Sequence, residues 1–447
     1  MRILLTVHQF FPQYRAGTEV LTFSVAKQLI SLGHQVHVFT GFPGESDLSD
    51  DERFDEYEYE NIHVYRFHHA YKPMAGQQSM IEVGYCNKLA LKHFEAIVQS
   101  YRPNLIHHFH LNRLGIGLIN HAYDKNIPQY FTPTDFWMIC PTAQLMLGEG
   151  KYCSGPDLNS GNCIQHFARD KKTGLGRMLV NSTPTLFFKQ LSKFTKNHPL
   201  IHYPMSNEVR ALATRTENVV EALNKLDKIF APNPFIKNLF LRYGVKEELL
   251  VEQAFGIDLE KHVSSNKSHR PKGGEVVVGF IGTLAPHKGC HIVIDAVKKL
   301  NSKSVKLEIY GNPDDFPEYV LKLERLAGLS EKIIFKGTFP NEDINTIMSN
   351  FDVLVVPSVW YENTPLVIYS AQAAKCPVIG SDLPGVSAAV KHGFNGLLFK
   401  PGDVDDLVDK LKLFIKNKQA GFVYSTIVPL STEEYVNALI SGWMKSH

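Results

Sequence analysis

Residues 356–370 read V-P-S-V-W-Y-E-N-T-P-L-V-I-Y-S. Just before this stretch ends its first turn, Phe351-Asp352-Val353-Leu354-Val355-Val356 forms a short apolar run rich in β-branched residues. That is the pattern of a buried parallel strand, and Pro357 ends it. Asn363-Thr364-Pro365 then opens a helix, with Thr364 expected at the N-cap and Pro365 at the first helical position, where a missing N–H costs nothing. The helix is expected to run from Leu366 through Ala374. A strand that turns into a helix leaves free N–H groups and the positive end of the helix dipole facing outward, which suits a phosphate or a sugar hydroxyl. Glu362 stands on the lip of that elbow.

The same grammar recurs elsewhere in the chain. Residues 3–7 read as a first strand, followed by a loop with Ala16-Gly17-Thr18-Glu19. A helix carrying Val20, Phe23, Ala26, Leu29 and Ile30 at helical spacing stops at Gly33, and a second strand follows at 35–40. Residues 276–281 form another buried strand, leading into Gly282-Thr283-Leu284-Ala285-Pro286-His287-Lys288-Gly289. A glycine-bearing turn at a helix start, with a lysine beside it, makes a cradle for a diphosphate. Strands at 305–311 and 332–337 end in Gly311 and Gly337. Strand–loop–helix units of this kind place their loops at the carboxyl edge of a doubly wound sheet, where ligands bind.

Taken with Cys376-Pro377-Val378-Ile379-Gly380-Ser381-Asp382 and Asn395-Gly396-Leu397-Leu398-Phe399, residues 356–370 resemble the donor-sugar signature of the retaining glycosyltransferases of family four. The resemblance implies the GT-B fold: two Rossmann-like α/β domains facing across a cleft, with a C-terminal helix crossing back to the first domain. The implied boundaries are 1–255 for the acceptor-side domain, with a helical, Cys-containing insertion at about 140–215, then 256–428 for the donor domain and 429–447 for the returning helix. The implied partners are a nucleotide-sugar donor and a carbohydrate or lipid-linked acceptor. No cofactor, metal or protein nucleophile is implied, because the leaving diphosphate helps take the acceptor proton. The resemblance assigns the donor to Gly17, Gly282, Thr283, Lys288, Gly337, Asn363, Thr364, Pro365, Leu366 and Ser370, and the sugar hydroxyls to Glu362. Five positions depart from the family pattern: Ser370 replaces a second glutamate that commonly holds the ribose, Thr283 an arginine, Thr134 a histidine, Ala388 an acidic residue, and Ala16 a first glycine. A non-catalytic GT-B scaffold or nucleotide-sugar binding protein is therefore the competing reading.

Composition narrows the class further. The chain has 447 residues, enough for two cores of roughly 200 residues each. A net charge of +2 supplies no general field for nucleic acid. Met1-Arg2 leads straight into a strand rather than a signal peptide, and no apolar window reaches the roughly 20 residues of a bilayer span. A cytoplasmic protein is expected, with contact on the inner face of the membrane as an option. In that compartment the six cysteines should stay reduced.

Several local features remain open in the sequence. Residues 47–60 are acidic and read as a solvated loop. His107-His108-Phe109-His110 lies at a strand end after Asn104-Leu105-Ile106, and strand alternation puts His108 and His110 on one face and His107 on the other. His110 is the candidate that, by the resemblance, faces the acceptor. Asp135, in Pro133-Thr134-Asp135-Phe136-Trp137, is either a second acceptor-side candidate or a helix cap. Cys140, Cys153, Cys163 and His166 form either a Cys₃His zinc set or scattered thiols. Residues 169–196 carry seven Lys and Arg against one Asp, interleaved with Leu, Met and Phe. That segment is either a lipid- or acceptor-docking surface or an ordinary surface helix pair broken at Pro184. Residues 261–274 are polar and read as a linker.

Overall fold

The computed structural model describes residues 1–259, 274–421 and 423–444. The expected linker falls almost wholly outside these. The chain divides into two compact units, Met1–Ala254 with Tyr435–His447, and Phe255–Glu434.

The first unit is built on an eight-stranded sheet. Its strands are β1 (Arg2–Val7), β2 (Gln35–Pro43), β3 (Phe54–Tyr59), β4 (Ile62–His69), β5 (Leu105–His108), β6 (Gln129–Phe131), β9 (Lys228–Ala231) and β10 (Leu250–Glu252), and a small hairpin of β7 (Met146–Leu147) and β8 (Lys151–Tyr152) lies outside it. The order is β10-β9-β6-β5-β1-β2-β4-β3, parallel throughout except for the antiparallel pair β3–β4. Because β1 lies between β5 and β2, the winding reverses there and opens a crevice at the carboxyl ends of β1 and β5.

The edge strand corrects one expectation. The segment read as an acidic loop contains β3, which pairs with β4 from Phe54↔Phe67 to Tyr59↔Ile62. Its charged residues obscure it because an edge strand needs to bury little. Arg53, fully buried beside it, donates to the carbonyls of Glu45, Leu48 and His68 and ties the approach to the sheet. The first helix, Gly17–Ser31, buries Leu21, Val25, Ala26 and Leu29, together with Glu19 and Thr22. Val20, Phe23 and Ile30, expected on its inner face, are only half-buried. The stripe is rotated because Glu19 and Thr22 take inward positions that an apolar-only count misses.

The last helix, Thr432–Met444, buries Tyr435, Val436, Leu439 and Trp443, and from Tyr435 onward it belongs to the first unit. Tyr130 Oη donates to the Trp443 carbonyl at 2.9 Å, and His107 lies among Phe109, Phe230 and Trp443.

The second unit holds a six-stranded, wholly parallel sheet. Beside a short pair, β11 (Gly256–Ile257) with β18 (Leu430–Ser431), its strands are β12 (Val276–Ile281), β13 (Val305–Tyr310), β14 (Ile333–Gly337), β15 (Val353–Val356), β16 (Val378–Ser381) and β17 (Gly396–Phe399). The order is β14-β13-β12-β15-β16-β17. The winding reverses between β12 and β15, whose near-continuous Val, Ile and Leu runs are buried on both faces as a parallel sheet requires. Two apolar clusters cover the faces, one around Ile294, Leu307, Val355 and Leu411 and the other around Met348, Leu354, Ile368 and Val386.

Candidate functional site

In the second unit the crevice at the β12–β15 reversal is formed by the turns that follow those strands. The turn after β12 is drawn against its neighbours by Gly282 N–H donating to the Tyr310 carbonyl at 3.1 Å, and Gly311 N–H donates to that of Gly337 at 3.0 Å. This strings Gly282, Gly311 and Gly337 along the carboxyl edge. Thr283 follows, half-buried, and then a single turn, Pro286–Lys288, ends at Gly289 before the helix Cys290–Leu300. Gly289 has φ +74°, and a Cβ there would lie 2.0 Å from the Pro357 carbonyl oxygen. The close approach brings Lys288 beside the elbow after β15.

Glu362 is the centre of that elbow. Its carboxylate, almost wholly buried, accepts at Oε1 from Lys288 Nζ at 2.8 Å, Ser358 Oγ at 2.6 Å and Trp360 Nε1 at 2.8 Å. Burial alone would raise its pKa, but the Lys288 ammonium and these three donors outweigh it and hold the carboxyl below its usual range. Lys288 Nζ also lies 4.9 Å from the centroid of the Trp360 ring, and the His287 ring packs against the same indole at 4.3 Å. Burial, reinforced by the Lys288 charge, pushes His287 down to about 4, so it is neutral at pH 7.

The helix after the elbow spans Leu366–Ala373. Pro365 takes the N-cap position, one residue later than expected, and the Thr364 hydroxyl donates to the Asn363 carbonyl at 2.8 Å. Asn363 and Ser370 are buried. Against the same backbone lies the short helix Pro384–Ser387, so close that a Cβ on Gly385 would lie 1.9 Å from the Glu362 carbonyl oxygen and 2.4 Å from that of Asn363. Ala388 caps that helix.

The crevice of the first unit holds a second polar group. His110, just past β5, packs against His8, just past β1, with ring centroids 3.9 Å apart and the planes tilted by 36°. His110 Nδ1 accepts from Asn112 N–H at 3.1 Å, which leaves the proton on Nε2, 2.7 Å from Asp135 Oδ2. Asp135 Oδ1 accepts from Trp137 N–H at 2.7 Å, which closes a turn where a helix cap was the alternative expected, while its Oδ2 meets His110. Arg215, buried on the helix Ser206–Leu223, donates to the carbonyls of Trp137 and Ile139 and fixes the loop from behind. Glu19 faces this group, 3.8 Å from His8 Nε2, and burial is the main cause that pushes it up to about 7. His8 Nδ1 and Glu19 Oε2 are buried without a hydrogen-bond partner. Gly17 is the exposed first residue of the helix that carries Glu19.

His107 and His108 stand apart from this group. His107 meets Thr132 Oγ1 at 2.9 Å, and His108 meets Thr6 and Gln129. Burial lowers both pKa values, and they act as neutral core polar groups. Cys140, Cys153, Cys163 and His166 do line one small cavity of about 10 Å³. As the side chains lie, Cys140 pairs with Thr142, Cys153 with Gly155 and His166 with Asp170, and no group able to hold a metal ion occurs among the described residues.

The sequence reading did not single out Ser358, Trp360 or His8, and it assigned Glu19 no role. Ser358 and Trp360 had a local signal: they lie four and two residues before Glu362 in the stretch quoted first. His8 had only its place at the end of the first strand.

Two Rossmann-like units, each built on a sheet whose winding reverses, make up the GT-B fold. Solved structures agree: HepE of Anabaena, in complex with UDP and glucose, matches with TM-score 0.63 at 18% identity, covering 100% of this chain and 99% of that one. The sucrose-phosphate synthase of Thermosynechococcus elongatus matches with TM-score 0.62 at 17% identity, covering 99% and 96%. Residues 264–422 match the family model of the glycosyl transferases group 1. Among curated relatives, a D-inositol 3-phosphate glycosyltransferase of Nocardia farcinica is 30% identical over 146 residues, 31% of this chain and 32% of the relative. The putative glycosyltransferase YtcC of Bacillus subtilis is 28% identical over 246 residues, 50% and 60% respectively. The chain thus aligns with less than two thirds of the length of either relative.

Proposed function

We propose that this protein is a retaining glycosyltransferase that moves a sugar from a nucleotide-sugar donor to a hydroxyl of a carbohydrate or lipid-linked acceptor, in the building of a surface polysaccharide or glycolipid. The observation that carries this reading is the buried Glu362 carboxylate, held ionised by Lys288, Ser358 and Trp360 at the carboxyl edge where the β12–β15 winding reverses. A structural core has no need of a charged pair there, whereas a sugar diphosphate needs both signs: a cation for phosphate and a carboxylate for hydroxyls. The UDP and glucose bound by HepE support a donor of this kind.

On this reading the Lys288 ammonium and the N-termini of the helices Cys290–Leu300 and Leu366–Ala373 meet the diphosphate. The Gly282 turn approaches its oxygens by backbone. Glu362 accepts hydrogen bonds from sugar hydroxyls, with Asn363, Thr364, Pro365 and Leu366 completing the grip. Gly337 borders the base, and Ser370 offers one hydroxyl to the ribose. As the bond from the anomeric carbon to the phosphate oxygen breaks, its electron pair stays on the diphosphate. The acceptor oxygen bonds to the carbon on the same face, and its proton passes to the departing phosphate. Lys288 and the helix ends stabilise the charge that grows there, an interaction stronger in the transition state than in the ground state. His110 and Asp135 serve the acceptor.

The test is a panel of UDP-, GDP- and ADP-sugars, scored by calorimetric binding and by slow hydrolysis of the bound donor. One donor that binds and loses its sugar is the expected result, and both signals should fall in Glu362→Ala. Binding with no hydrolysis and no transfer to any acceptor would favour the scaffold reading, which the Ser370 and Thr283 replacements motivate.

A further inference from the structure

The insertion in the first unit carries an apolar face that the fold does not cover. The helix Gly174–Ser182 has no buried residue at all. Its Leu175, Met178 and Leu179 are spaced i, i+3, i+4, which is the stripe an ordinary helix turns toward its core. Here they are 80%, 66% and 69% exposed. The next helix, Thr185–Asn197, is anchored by Phe188, Ser192 and Thr195, spaced to lie along one side. Leu186, Phe187 and Phe194 lie off that side and are exposed. Its inner side packs on the helices Gly161–Asp170 and Ser206–Leu223, and Lys196 pairs with Glu217.

The charges around this face choose its occupant. Lys171, Lys172 and Lys193 are exposed beside it, and Asp170 is the one acid in residues 169–196, already engaged by His166 and Arg169. A second copy of the chain would bring a like-charged surface, and a neutral protein groove would leave the lysines unmatched. An anionic bilayer surface satisfies both components, since apolar side chains enter the acyl boundary while lysines reach the phosphates. No described helix is long and apolar enough to cross a membrane, so the helices would lie on the surface.

We propose that residues 171–197 form a docking surface for anionic lipid bilayers, with Leu175, Met178, Leu179, Leu186, Phe187 and Phe194 inserting and Lys171, Lys172 and Lys193 contacting headgroups. This does not depend on the transfer reaction or on the identity of any donor.

The experiment is flotation of the full-length protein with vesicles of phosphatidylcholine alone or mixed with phosphatidylglycerol. Two variants are compared, Leu175→Ser/Met178→Ser/Leu179→Ser/Phe187→Ser and Lys171→Glu/Lys172→Glu/Lys193→Glu. All these side chains are exposed, and circular dichroism and melting temperature verify that both variants fold. Wild type should float with the mixed vesicles and not with the neutral ones, and added salt should release it. A lysine near an anionic surface is worth about fivefold in binding, so reversing three should weaken it by about a hundredfold or more. The serine variant should lose binding to at least the same degree. The proposal is overturned by wild type that ignores mixed vesicles, by equal binding to neutral ones, or by variants that bind like wild type. A wild-type dimer that the serine variant dissolves, with no vesicle binding, would assign the face to a second copy and overturn it too.

Discussion

The Lys288–Glu362 pair permits a quantitative test that needs no substrate. Lys288→Met removes the ammonium but keeps the aliphatic stem. It leaves a carboxylate that is 8% exposed with only Ser358 and Trp360 as donors. Removing one partner of a buried ion pair costs about 3 kcal/mol or more, because the remaining charge stays desolvated. Glu362→Gln leaves the other partner, whose side chain is 25% exposed and can turn to water, so the expected cost is lower, about 1–2 kcal/mol. The double variant has no charge left to strand, and its cost should fall short of the sum by about 2 kcal/mol, the coupling energy of the pair. Denaturant unfolding of the full chain, with hydrogen exchange followed in peptides of residues 276–399, reads the second unit separately. The pH dependence supplies a second criterion. The folded pKa of Glu362 lies below its unfolded value near 4.3, so the pair's stabilisation is fully present above that value and disappears as pH falls through the folded pKa. The Lys288→Met penalty should therefore be large at pH 7 and shrink toward pH 3. A coupling below about 0.5 kcal/mol, or a penalty that does not change with pH, would refute the claim that Lys288 holds this carboxylate ionised.

Three further outcomes are expected. Glu19, pushed up to about 7, binds a proton more tightly folded than unfolded, so its contribution falls as pH rises from about 4.5 to 7; Glu19→Gln should gain about 3 kcal/mol relative to wild type between pH 4 and pH 8, and parallel stability–pH curves would contradict this. Gly385→Ala places a methyl 1.9 Å from the Glu362 carbonyl and should destabilise the second unit by about 1–3 kcal/mol while weakening, in calorimetry, binding of whichever nucleoside diphosphate the donor panel selects; an unaltered affinity would show that this contact does not shape the donor site. Ser370→Glu should tighten binding of that nucleoside diphosphate by about tenfold if this position faces the ribose, one charge-assisted hydrogen bond being worth about 1.5 kcal/mol or more, and no gain in a folded variant would remove Ser370 from the site.

Much of the architecture was legible because its signals are local. The β-branched run before Pro357 and the apolar stretch at 276–281 both became central strands, β15 and β12. The GT-B fold inferred from residues 356–370 and their companions agrees with the solved structures. The edge strand β3 was not legible: it buries so little that Asp55, Glu56 and Glu58 read as a solvated loop, and only its pairing with β4 reveals it. The cap at Thr364 was misplaced by one residue, within the reach of a rule that sees residue types but not backbone angles.

The sites divide along the same line. Glu362 stood out in the sequence, and the donors Ser358 and Trp360 lie within four residues of it, close enough for one elbow to bring them together. Lys288 joins them from 74 residues away, through a glycine that lets its turn pass within van der Waals range of Pro357. Likewise His8 and His110, 102 residues apart in sequence, become neighbours in ring contact because β1 and β5 pair in parallel and end at the same edge. The sequence by itself determined the alternation of strands and helices, the two-unit plan and the identity of the charged groups, since each is written in spacings of a few residues. Tertiary structure alone decided which charges meet, which stripe of Gly174–Ser182 faces water and which polar atoms are buried without partners. Those outcomes depend on the order in which parallel strands pair, a long-range choice that no short window of sequence contains.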